Sequence, residues 1–155
     1  MADLYKQIAR EQYSHLIRKA AISLSHQVLP KEGWIRTVRK ALGMSGVALS
    51  QRLKSNRTSA AYLEKAELEG KITLNKLKEA AEALDCHLVY GFVPNTSIEE
   101  SISKQAELKA RSLSDYANTQ MMLEAQSLSN DELEREISRL KEKFIREMPN
   151  DLWKT

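Results

Sequence analysis

The sequence predicts an all-α protein, and three observations lead there. Only five Gly and three Pro occur in 155 residues, and aromatics make up 6%, so the chain is poor in both turn-formers and strand-formers. Apolar residues return at three- and four-residue spacing along most of its length, as amphipathic helices require. Ser, Thr and Asn repeatedly stand just ahead of those periodic runs, where N-caps belong. One departure, residues 86–94, predicts a single short strand.

The elements follow in order. In residues 2–26, Leu4, Ile8, Leu16, Ile17, Ala20, Ala21 and Leu24 recur at helical spacing, with Arg10, Arg18 and Lys19 on the other faces. Pro30 breaks the pattern, and Glu32 or Gly33 begins a second helix. There Trp34, Ile35, Val38 and Leu42 form the inner stripe while Arg36, Arg39 and Lys40 face out. Ser45 caps a short helix whose inner side is Met44, Val47, Ala48, Leu49 and Leu53. After Lys54-Ser55-Asn56, a further helix buries Ala60, Leu63 and the stem of Tyr62. Glu64 to Lys71 reads as a charged connection ended by Gly70. A helix from Asn75 to Leu84 follows, capped by Thr73 or Asn75, with Leu77, Ala80, Ala81 and Leu84 inward.

The run Cys86 to Pro94 is β-branched and aromatic. A lone strand leaves its backbone groups unpaired, so pairing with the same strand of a second copy through Leu88, Val89, Tyr90, Phe92 and Val93 is the economical solution. Packing as an extended arm on its own helices is the alternative. Ser97 with Glu100 and Ser129 with Glu132 open two more helices, to about Gln126 and Glu147. Leu133, Ile137, Leu140, Phe144 and Met148 form a narrow seam suited to helix against helix. Its partner is open: the N-terminal helix, a second copy or another protein.

Two short helices joined so closely must pack across each other, leaving the outer face of the second free. That face carries Arg57, Thr58, Ser59 and Tyr62, whose donors and acceptors suit base edges in a major groove. A solvated surface helix also begins this way. Charge along the chain is uneven. Residues 1–65 hold twelve Lys and Arg against four Asp and Glu, a formal +8, whereas residues 97–155 stand at −3 within an overall +3. A basic front half points to a polyanionic partner.

The segment Trp34 to Leu88 resembles the helix-turn-helix domain of the Xre/Cro family. The resemblance is carried by Met44, Ser45, Ala48, Leu53, the polar run Asn56 to Ser59, Leu63-Glu64 and the phrase ITLNKLKEAAEAL at Ile72 to Leu84. It implies five helices, double-stranded DNA as partner, base contacts from Arg57, Thr58, Ser59 and Tyr62, and a phosphate contact from Ser45. Arg36, Arg39, Lys40, Arg52 and Lys54 complete the basic set expected near the backbone. Gly46 and Lys54 depart from the family pattern, the latter standing where the turn usually has Gly. A broader likeness, through Trp34-Ile35-Arg36, Ala41 to Ser45, Leu63-Glu64-Lys65, Ile72-Thr73-Leu74, Ala83 to Tyr90 and Val93-Pro94, is to mobile mystery protein A, a family encoded beside a Fic-domain protein. That implies an autorepressor with an antitoxin-like relation to a Fic partner. The alternative is direct inhibition of a Fic-type adenylyl transferase by a Ser/Thr-x-x-x-Glu motif, matched in part at Ser103 and Glu107.

The expected organisation is a helical extension at 1–29, the helix-turn-helix domain at 30–86, the dimerising strand at 87–94 and a helical extension at 95–155. The single Cys86 allows no internal disulfide and fits a reducing, cytoplasmic setting. No apolar run has membrane-spanning length and no signal-peptide plan opens the chain. His15 and His26 lack companions at ligand spacing, and no phosphate loop, nucleophile elbow or metal motif appears. Neither enzymatic activity, a cofactor nor a metal is expected.

Overall fold

Seven helices account for most of the described residues. A computed structural model describes residues 1–126 and 128–154, with α1 (Ala2–Leu24), α2 (Trp34–Ala41), α3 (Gly46–Arg52), α4 (Ser59–Leu68), α5 (Leu74–Ala83), α6 (Ile98–Leu123) and α7 (Asn130–Glu147). Their beginnings are chemical. Ser45, Thr73, Ser97 and Ser129 each accept a hydrogen bond from the backbone N–H three residues on. At Ser129 the Glu132 carboxylate reaches back to the cap's own N–H, completing a capping box.

The endings are equally regular. After α2, α3, α4, α5 and α6 the chain turns left-handed and donates back to the last turn, as Gly43 N–H to Lys40 and Met44 N–H to Arg39 do. Gly43 and Gly70 adopt this conformation freely. Lys54, Asp85 and Ala125 adopt it with φ of 53°, 56° and 59° and carry a Cβ that opposes it.

The chain forms two compact bodies, one of Ala20–Phe92 and one of Met1–Lys19 with Val93–Thr155. In the first, Ile35, Leu49, Ala60, Leu63, Ala80 and Leu84 are buried together, with Val38, Met44, Leu53, Ile72, Leu77 and Ala83 packed around them. In the second, α6 and α7 form a helical hairpin. Ala106 and Ala110 on α6 are fully buried, and their lack of bulk lets Ile137 and Phe144 of α7 approach the backbone. Leu133, Leu140 and Met148 flank that contact. The seam whose partner the sequence left open therefore packs on its own α6. Leu152 closes the cluster from beyond α7, its carbonyl accepting from Gln105 Nε2 at 2.9 Å.

Several expectations are corrected. Between Trp34 and Leu88 there are four helices, not the five that the family resemblance implies, the phrase Ile72 to Leu84 forming the single α5 behind a Thr73 cap. Glu64 to Leu68 is helix rather than connection, since Glu64 and Ala66 are buried and continue the inner face of α4. Trp34 is 46% exposed; Ile35 holds the core position instead. Leu42 and Val47 also lie largely in solvent. No strand occurs among the described residues, and residues 86–94 run as non-helical chain without a ladder. A single chain offers that segment no second edge to bond to.

Candidate nucleic-acid interface

The turn between α3 and α4 is built around a polar residue that the periodicity concealed. Ser50 is fully buried, donates to the carbonyl of Arg57 at 3.2 Å and accepts from the N–H of Ala60 at 3.0 Å. One hydroxyl thus closes the turn from inside and satisfies two backbone groups, the N–H of Ala60 being buried. Lys54 makes the reversal in its left-handed conformation, with Ser55 N–H bonded back to Ser50 at 3.1 Å. Mid-helix serine is an ambiguous signal, which is why Ser50 escaped sequence reasoning.

This scaffold presents the outer face of α4. Tyr62 is 72% exposed, Arg57 and Thr58 are exposed in the turn ahead of α4, and Ser59 opens the helix with its hydroxyl 2.7 Å from that of Ser55. Thr58 occupies the N-cap position without making a side-chain cap bond. The groove beside these residues is also lined by Lys54, Lys71, Thr73 and Lys76. Lys71 and Lys76 were not anticipated; their position around a Thr cap was the available signal. Lys71 and Lys76 pair with Glu69 and Glu79 in exposed contacts that solvent and salt weaken.

The remaining basic residues do not behave alike. Ser45 caps α3, its Oγ accepting from Ala48 N–H at 3.0 Å. Arg36 is exposed, its Nε 3.9 Å from Glu64. Lys40 meets Glu32 at 2.7 Å near the surface, and that hydrogen bond holds the Glu32 carboxyl below its usual range. Arg52 donates through Nε to the carbonyl of Ala83, tying α3 to the end of α5. Arg39 does not face out as expected. Its side chain is 15% exposed, bonds Glu64 through Nε and, at 3.2 Å, through Nη2, and donates to the Met44 carbonyl at 3.0 Å. The Glu64 hydrogen bond raises the Arg39 guanidinium above its ordinary value. This bidentate pair bolts α2 to α4.

Glu67 makes a second such bolt. Its carboxylate accepts from the backbone N–H groups of Trp34 at 2.7 Å and Ile35 at 3.0 Å, capping α2 from the neighbouring helix. Gly33, at φ +80°, leaves room for it; a Cβ there would stand 2.7 Å from Glu67 Oε2.

Residues named for dimerisation lie beyond α5. Val89, Tyr90 and Val93 are exposed, Phe92 is 88% exposed and Leu88 half-buried. No group of three or more His, Cys, Asp or Glu is placed to hold a metal among the described residues, and no described helix is long and apolar enough to cross a membrane. No protein-family model, curated protein or solved structure matches the chain.

Proposed function

We propose that this protein is a sequence-specific regulator that binds double-stranded DNA through α4, as a dimer. The observation that carries the reading is the α3–α4 turn. A buried Ser50 locks it, and the side chains left in solvent beyond it are Arg57, Thr58 and Tyr62, with lysines along the adjoining groove. Arginine can bond guanine through two parallel hydrogen bonds, and hydroxyls bond either base type. Lys54, Lys71, Lys76 and Arg36 are the residues we assign to phosphates, each neutralised charge releasing counterions. Arg39 leaves that set and becomes structural.

The resemblance to mobile mystery protein A supplies the setting: an operator at its own promoter and a Fic-domain protein as the genetic neighbour. Direct inhibition of such a protein by the Ser103 to Glu107 match is the weaker reading, because the Glu107 carboxylate is engaged by Lys141 at 2.8 Å and Arg111 at 3.2 Å. Footprinting on the region upstream of its own gene tests the proposal. Protection of a two-fold symmetric site is expected, with Arg57→Ala weakening it by roughly 1–3 kcal/mol and relaxing one base position. Absence of protection at low salt would sink the DNA reading.

A further inference from the structure

Two uncharged stretches of the chain meet at one contact. Residues 20–30 and 86–98 hold no Lys, Arg, Asp or Glu, although charged residues make up 29% of the sequence. Gly91 of the second stretch faces Leu24 of the first so closely that a Cβ on it would stand 2.5 Å from the Leu24 Cδ1. Just past Leu24 the chain turns, the Gln27 N–H donating to the Leu24 carbonyl at 3.2 Å. Val28 and Leu29 therefore emerge beside the contact, and Tyr90 and Phe92 flank it from the other stretch. All of them belong to the body Ala20–Phe92.

What these residues show to solvent is apolar. Val28 and Leu29 are 85% and 75% exposed, and Val89, Tyr90 and Phe92 are exposed with them. Size and neutrality together select the cover. An aromatic side chain offers about 150–250 Å², so Val89, Tyr90 and Phe92 alone fall short of the roughly 800 Å² per partner of a standard interface. Val28 and Leu29 bring the patch to that scale. Lacking a cation, it has nothing to offer a polyanion, and lacking charge of either sign, nothing to select a charged partner. A two-fold interface sets a patch against its own image, where a charge near the axis would meet its like, so neutrality is what self-association requires. Depletion of charge around aromatic side chains is also the composition of an interface core.

We propose that Val28 and Leu29, with Val89, Tyr90 and Phe92, form one self-complementary interface with the same patch of a second copy. This interface, which rests on the dimeric reading above, adds the connection between α1 and α2 to it. Sedimentation equilibrium of the full chain and four variants tests it. Val28→Asp, Leu29→Asp and Phe92→Asp should each raise the dimer dissociation constant at least about tenfold, because the new carboxylate is buried against its own image. Ile22→Asp is the control. Ile22 is 70% exposed, but two residues from Leu24 it lies about 200° round α1, outside the patch. Its dissociation constant should stay within about twofold of the parent's. Should an aspartate variant lose its helical circular dichroism, Leu29→Asn makes the same test with a smaller change. A dimeric parent indifferent to the Val28 and Leu29 changes overturns this inference and leaves the dimeric reading standing, as does a dimer weakened equally by Ile22→Asp. A monomeric parent overturns both and gives the patch to a different partner. None of these variants touches Arg57 or α4, so footprinting reads the DNA half of the proposed function separately.

Discussion

Arg39 and Arg36 lie three residues apart on one helix and have the same chemistry, yet one is a surface charge and the other half of a buried pair. Removing a single partner from a buried, bidentate pair leaves an uncompensated charge, so Arg39→Ala should cost about 3 kcal/mol. Replacing both members, Arg39→Met with Glu64→Leu, should recover most of that, because well-packed apolar groups need no counterion. Urea denaturation of the three variants checks it; an Arg39→Ala midpoint equal to that of the parent would show that the pair bears no load. Lys54 poses a different question. At φ 53° its Cβ is strained where glycine would not be. Lys54→Gly should therefore gain up to about 1 kcal/mol in stability, partly offset by the freer unfolded chain. If Lys54 also meets a phosphate, the same change should flatten the salt dependence of DNA affinity by about one counterion. Thermal unfolding and salt-dependent binding read the two effects separately.

Among the elements, α2 has no side-chain cap of its own and takes one from α4 through Glu67. Gly33→Ala would force a Cβ into the left-handed backbone and against that carboxylate, with an expected loss of about 2 kcal/mol. Because the damage centres on the entry to α2, hydrogen exchange should accelerate first at Trp34 and Ile35; uniform acceleration would argue against the borrowed cap. The α6–α7 hairpin is held partly by charge. The Lys141 hydrogen bond, followed by that of Arg111, keeps the Glu107 carboxyl below its ordinary 4.5, and Lys109 does the same for Asp151. With folded values depressed, this contribution is complete above the unfolded values and disappears as pH falls through the folded ones. The melting temperature should hold steady from neutrality to about pH 5 and then drop. Glu107→Gln should shrink the acid-dependent part of that drop, and an identical acid profile would refute the assignment.

At the scale of the whole molecule, residues 88–92 put Val89, Tyr90 and Phe92 in solvent, while Gly91 lies so close to Leu24 that a Cβ there would stand 2.5 Å from its Cδ1. Gly91 thus packs against Leu24 while its neighbours turn apolar side chains outward, a combination that favours a second copy as the cover. A single recognition helix reads few base pairs, so two half-sites about 34 Å apart would give a dimer its specificity. Proline at Val89 or Tyr90 removes one backbone donor, and only one of the two amides can point to an antiparallel neighbour. One proline should loosen the dimer more than the other in sedimentation equilibrium. A monomeric parent chain, or a dimer indifferent to both, would dismiss this segment as the assembly surface.

What the amino-acid order determined by itself is local. Caps at Ser45, Ser97 and Ser129, the breaks at Pro30 and Gly70, and the α7 seam were all legible, because each depends on groups three or four residues apart, whereas the choice of Thr73 over Asn75 as the α5 cap was left open. The exposed α4 face was legible for the same reason. Tertiary structure decided whatever joins distant positions: Glu67 reaching across to Trp34, Glu64 drawing Arg39 inward, Ser50 clamping Arg57 to Ala60, and α6 receiving the seam. Periodicity reports which side of a helix is apolar. It carries no information about which charged residue on the boundary finds a buried partner, since that depends on a second helix whose approach no local spacing encodes.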